Sequence, residues 1–305
     1  MTPTTKPTAS TATRAAGLAR DDFPPRPDLA ALAPMLTRLK LTAIRDQLDT
    51  LLGEAARREL TLAETVAYLC EREIARKDER RIEMALGLAR FPMVRDLAGY
   101  DFAAQPAVDK QQVRELASGR FVANGEAVLL LGPPGVGKTH LSIGIGRAVI
   151  TAGYTVLFTS ATALIAQLVT AHAAGRLEEK LLHYSKPKLL IIDELGYLPV
   201  EPDAAHVLFQ LVSRRYERGS ILLTSNRAVG EWGTVFGDPV VATAILDRLL
   251  HHSHVLTIRG ESYRLREKRR AGLLAASSVA SPPPTSVARA KRSPDAHPTP
   301  TGVTS

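Results

Sequence analysis

The sequence predicts an α/β fold: a parallel sheet between helices, preceded by a small all-helical domain and flanked by disordered tails. Three observations predict it. From about Asp101 onward, short continuously apolar runs alternate with helical patterns, as buried parallel strands and their crossovers do. Before them, from Asp28 to about Tyr100, apolar residues recur at helical spacing. Both ends are rich in Thr, Ala, Ser and Pro, and bury too little apolar surface to offset chain entropy.

The expected organisation is therefore a disordered extension over 1–27, a helical domain over 28–100, an α/β domain over 101–270 and a disordered basic tail over 271–305. With 305 residues and 45% apolar content, the chain has material for a sizeable core. Its single cysteine, Cys70, excludes an internal disulfide framework and any four-cysteine zinc site. No run of about 18 apolar residues exists to span a membrane. The first twenty residues lack the apolar core of a signal peptide, so a cytoplasmic location is expected. The formal charge of +8 invites a nucleic-acid reading, but the excess sits at the ends. Residues 1–27 hold four basic and two acidic residues, and 264–305 hold eight and two. Residues 28–100 hold 12 of each sign, and residues 101–263 hold 15 of each.

The elements follow in order. Leu36, Leu39, Ile44, Leu48, Leu51 and Leu52 have helix-like spacing, and neither Gly nor Pro interrupts Met35 to Leu52. Thr61-Leu62-Ala63-Glu64 is a capping-box pattern opening a second helix with Val66, Leu69 and Ile74. The mixed charges of Glu71 to Glu83 read as a solvated helix face. Strands are predicted at Ala127–Leu131, Tyr154–Thr159, Leu189–Ile192, Ser220–Thr224 and Val255–Ile258.

The first strand runs into Gly132-Pro133-Pro134-Gly135-Val136-Gly137-Lys138-Thr139, a full GxxxxGK[ST] match, and a helical stretch follows from Leu141. Glycines let the backbone wrap a phosphate, and the N–H groups and helix start favour an anion. Lys138 is expected on the β- and γ-phosphates of ATP and the Thr139 hydroxyl on Mg²⁺; His140, next in the chain, is counted with the loop. Leu189–Ile192 ends in Asp193-Glu194, suited to hold Mg²⁺ and to act as general base on a water, respectively. Adjacent carboxylates favour hydrolysis over transfer to a small molecule. Asn226 ends another apolar strand, suited either to orient that water or to contact the γ-phosphate. Two arginines follow, Arg248 in a helix and Arg264 near the end of the folded region. Each suits either phosphoryl-charge stabilisation or a surface ion pair, and spacing alone does not choose.

These residues resemble the IstB-type ATP-binding helper proteins encoded beside insertion-sequence transposases, relatives of DnaC-type helicase loaders within the AAA+ ATPases. The resemblance covers about Ala30 to Arg270. It rests on GPPGVGKTH at Gly132–His140, LLIIDELGYLP at Leu189–Pro199, LLTSN ending at Asn226, GEWG at Gly230–Gly233 and the run through DRL and GESYRLR ending at Arg266. It implies an AAA+ P-loop fold, with Asn226 as sensor one, Arg248 as an arginine finger acting on a neighbouring subunit, and Arg264 as sensor two. It further implies a homo-oligomer on duplex DNA and a helical domain that contacts a cognate transposase. Thr162 to Ser185 fits the helical insertion that faces DNA in initiators and loaders, and a solvated face of mixed charge fits it equally. A replicative helicase loader and an ATP-gated DNA scaffold are the alternative functions.

Overall fold

The computed structural model describes residues 29–197, 200–263 and 265–266. The tails expected to be disordered, 1–27 and 271–305, lie outside the described residues, as does Arg264.

The N-terminal part holds α1 (Leu29–Arg38), α2 (Thr42–Asp46), α3 (Leu48–Arg57) and α4 (Leu62–Ala89). The helical run over Met35–Leu52 is thus broken twice, without Gly or Pro. Lys40 turns into the left-handed region at φ 57°, and a carboxylate 30 residues away caps α2. Glu73 accepts the Ala43 and Ile44 N–H groups at 2.8 and 3.1 Å. Glu73 lies within the charged run expected to be solvated, yet it is only 3% exposed. Lys77 Nζ sits 3.5 Å from its second oxygen. Glu73→Ala would leave two buried N–H groups unpaired, at about 3 kcal/mol. It should lower the denaturant midpoint clearly, and Glu73→Gln, which keeps an acceptor, should lower it less.

The capping box forms as read: the Thr61 N–H donates to Glu64 Oε2 at 2.8 Å, and Thr61 Oγ1 accepts from the Glu64 N–H at 3.4 Å. The face of α4 was misplaced. Val66 and Ile74 are 60% and 59% exposed, because α2 and α3 cover the face carrying Tyr68 and Glu73 instead. Further along, Ile82, Ala85, Leu86 and Ala89 of α4 join the core of the sheet domain.

Five strands, β1 (Ala127–Leu131), β2 (Val156–Ser160), β3 (Leu189–Leu195), β4 (Ser220–Ser225) and β5 (Ser253–Thr257), form one parallel sheet in the order β2-β3-β4-β1-β5. Side chains alternate between its faces. Leu129, Leu131, Leu190, Ile192 and Leu223 pack with α8 (Ala161–Ala173), α10 (Pro202–Arg215), α11 (Trp232–Phe236) and α12 (Pro239–Leu250). Val128, Leu130, Leu189, Ile191 and Leu222 pack with α5 (Lys110–Ala117), α6 (Arg120–Asn124) and α7 (Lys138–Thr151). The insertion read at Thr162–Ser185 is α8 plus α9 (Leu177–Ser185). No described helix is long and apolar enough to cross a membrane.

Arg215 is buried. Its guanidinium donates to the carbonyl oxygens of Tyr184, Pro187, Lys188 and Ser220, pinning the end of α9 to the starts of β3 and β4. Burial lowers its pKa to about 10.

Candidate nucleotide-binding site

Because β4 lies between β1 and β3, three strand ends converge at one edge of the sheet. They carry the glycine loop after β1, Thr224 to Asn226 at the end of β4, and Asp193-Glu194 on β3. Ligands of open α/β sheets bind at this kind of crossover.

The loop enters α7 with Gly137 as its N-cap. Gly135 has φ 83° and Gly137 φ 99°. A Cβ on Gly135 would lie 2.1 Å from Ser262 Oγ, and one on Gly137 would lie 2.9 Å from the Tyr100 ring. Glycine thus serves a second need here, letting two flanking segments close on the loop. On one side the Tyr263 N–H donates to the Gly135 carbonyl at 3.0 Å. On the other, the buried Tyr100 ring meets the His140 ring edge-on at 5.3 Å, and its hydroxyl reaches the Val136 carbonyl at 3.5 Å. Burial pushes the Tyr100 hydroxyl up to about 12. His140 Nε2 lies 2.8 Å from the Asp96 carbonyl, so this ring engages the segment leading from α4.

Lys138 is buried, and its Nζ donates to the Gly132 and Pro133 carbonyls at 2.6 and 2.8 Å, across the loop. Thr139 Oγ1 donates to Asp193 Oδ2 at 2.9 Å. Thr224 Oγ1 donates to Asp193 Oδ1 at 2.6 Å and accepts the Glu194 N–H at 2.9 Å. The β3–β4 register slips at this point, Ile192 pairing with Leu223 and Leu195 with Ser225, so Asp193 and Glu194 together oppose Thr224. The bulge puts Glu194 at φ 65° and exposes its side chain, while Asp193 stays buried. Such a left-handed conformation costs a non-glycine residue about 1–3 kcal/mol and persists only where its surroundings enforce it. Here the Thr224 hydroxyl does so. Asn226 Oδ1 is buried and finds no hydrogen-bond partner among the described residues.

The structure therefore brings Gly132, Pro133, Pro134, Gly135, Val136, Gly137, Lys138 and Thr139 together with Asp193, Glu194 and Asn226. Arg248 is elsewhere. Its guanidinium stacks 4.6 Å over Phe209 and lines a cleft with Asn124, Ala127, Tyr216 and His252 at the opposite edge of the sheet. Five residues of β1, at about 3.3 Å each, separate that edge from the loop of the same chain by about 16 Å. Tyr100, Thr224 and Ser262 are participants that sequence reasoning missed, although Thr224, inside LLTSN, and Ser262, inside the GESYR wording, stood next to signals.

The donor set suits a nucleotide triphosphate. The loop N–H groups and the start of α7 form an anion nest, and Lys138 adds a full positive charge. The Thr139 hydroxyl and Asp193 carboxylate supply the hard oxygen ligands that Mg²⁺ prefers. Asn226 offers an unused buried acceptor at the same edge.

Residues 34–271 match the family described as IstB-like ATP binding protein. The chain is 48% identical over 243 residues to an ATP-binding protein of insertion sequence IS21 from Pseudomonas aeruginosa, covering 80% of this chain and 92% of that one. It is 46% identical over 232 residues to the corresponding protein of IS5376 from Geobacillus stearothermophilus, covering 76% and 92%. Among solved structures, DnaI is similar at a TM-score of 0.47 and 22% identity, over 57% of this chain and 94% of that one. The chain belongs to the IstB-like ATP-binding proteins of insertion sequences.

Proposed function

We propose that this protein is an ATPase that assembles on duplex DNA and assists the transposase of its insertion sequence in selecting a target. The observation that carries the hydrolytic reading is the chain of hydrogen bonds Thr139–Asp193–Thr224–Glu194 beside the glycine loop. It holds one carboxylate buried against Thr139 and turns the next one outward, which separates the two tasks that hydrolysis needs.

In this reading the loop amides and Lys138 bind the phosphates of ATP. Thr139 and Asp193 would hold Mg²⁺, which neutralises phosphate charge when bound. Glu194 takes the proton of the attacking water, and Asn226 orients that water. Arg248 reaches the γ-phosphate of a neighbouring protomer, as its place at the far sheet edge supports. Arg264 is assigned by resemblance to the nucleotide of its own subunit. The helical domain over 28–100 is the proposed transposase contact. Arg176 and Lys180, which share a cleft between α8 and α9, support DNA contact there. The relatives' names support the insertion-sequence setting.

Glu194→Gln tests the proposal. The variant should bind ATP as the wild type does and hydrolyse it about a hundredfold more slowly. It should also remain on duplex DNA after ATP addition. Wild-type turnover by this variant would remove Glu194 from the mechanism. Thr224→Val, which deletes the hydroxyl that holds both carboxylate residues, should slow turnover by about tenfold and leave ATP affinity nearly unchanged. Thr224→Ser should restore the rate.

A further inference from the structure

Two turns meet at the sheet edge opposite the glycine loop: the turn after α10, with Tyr216 and Glu217, and the end of α12, with His251 and His252. One ring nitrogen from each histidine and a carboxylate oxygen of Glu217 lie within 4.8 Å of one another. The two imidazoles are 4.1 Å apart between centroids and inclined at 64°. Tyr216 Oη lies 2.8 Å from His251 Nδ1. We propose that Glu217, His251 and His252 form a binding site for a borderline divalent transition metal, Zn²⁺ being the best match.

The donor chemistry selects the class of ion. Two imidazoles and one carboxylate suit Zn²⁺, whereas Mg²⁺ demands oxygen ligands in octahedral array, so this site does not compete for the nucleotide's metal. Three protein ligands leave the fourth tetrahedral position to water. Bonds of about 2.0–2.1 Å to the ion require ligand atoms about 3.3 Å apart, a closure of at most about 1.5 Å. All three side chains are exposed. Tyr216 supplies the outer support such sites use. With His251 as the Nδ1–H tautomer, the phenol oxygen accepts that hydrogen, which leaves Nε2 for the metal.

The ion would tie the α10–β4 turn to the end of α12, three residues beyond Arg248. His252 and Tyr216 line the same cleft as Arg248. Occupancy would therefore stiffen the mount of that arginine, a consequence that rests on the proposed role of Arg248; the metal site itself does not.

The test is calorimetric titration of Zn²⁺ into tag-free, full-length protein in chelator-treated buffer without nucleotide. One site per chain with micromolar affinity is expected, with a saturable rise in melting temperature. His252→Ala and Glu217→Gln should abolish both while leaving the metal-free melting temperature unchanged. Tyr216→Phe should weaken binding about tenfold. Zn²⁺ binding no tighter than millimolar in the wild type, or equal binding by the His252 and Glu217 variants, would overturn the proposal.

Discussion

Lys138→Ala is expected to lower ATP affinity about a thousandfold with the fold intact. The backbone nest around a phosphate supplies partial charges only, and Lys138 is the full positive charge that the loop itself carries. Truncating one partner of a buried charged pair costs about 2–5 kcal/mol, and about 4 kcal/mol is a thousandfold. The bonds that Lys138 makes to Gly132 and Pro133 span its own loop, and two net hydrogen bonds are worth only about 1 kcal/mol each. Titration with a fluorescent ATP analogue beside a thermal melt separates the two effects. Affinity within threefold of wild type would mean that the loop does not grip a triphosphate.

Arg248→Ala is expected to bind ATP normally and lose about a thousandfold in turnover, the usual scale for an arginine finger. The geometry leaves little choice about how such a loss would arise. The guanidinium sits over Phe209 at the far end of the strands, so it cannot act on the nucleotide of its own chain. Its stacking there is worth only about 1 kcal/mol, so the variant should fold. Undiminished hydrolysis would return Arg248 to a purely structural role.

What was legible in the sequence was whatever is encoded locally. Strands buried on both faces read as unbroken apolar runs, and four of the five lie within two residues of their expected ends, while β3 runs three residues further. The glycine loop and the acidic pair also announce themselves, since phosphate and metal chemistry restrict the residue types at fixed spacing. Contacts between distant segments were not legible. Nothing near Glu73 says that it will cap a helix 30 residues upstream, and nothing near Arg215 says that four carbonyls will surround it. The β3 bulge is likewise invisible, because Asp193 and Glu194 look like the end of a regular strand until β4 is placed beside them. Thr224 therefore passed as one more strand residue. His140 read as part of the nucleotide loop, yet its ring is committed to the Asp96 carbonyl and Tyr100.

The central claim is an ATPase whose site is completed by a neighbouring protomer, and mixing two inactive variants tests it most directly. Lys138→Ala protein has an empty pocket but an intact Arg248, and Arg248→Ala protein has the reverse. Combined at equal concentrations on duplex DNA, they should regain turnover well above either variant alone and below wild type. If differently tagged copies co-purify as mixed oligomers and turnover still stays at the level of the separate variants, the shared site is contradicted.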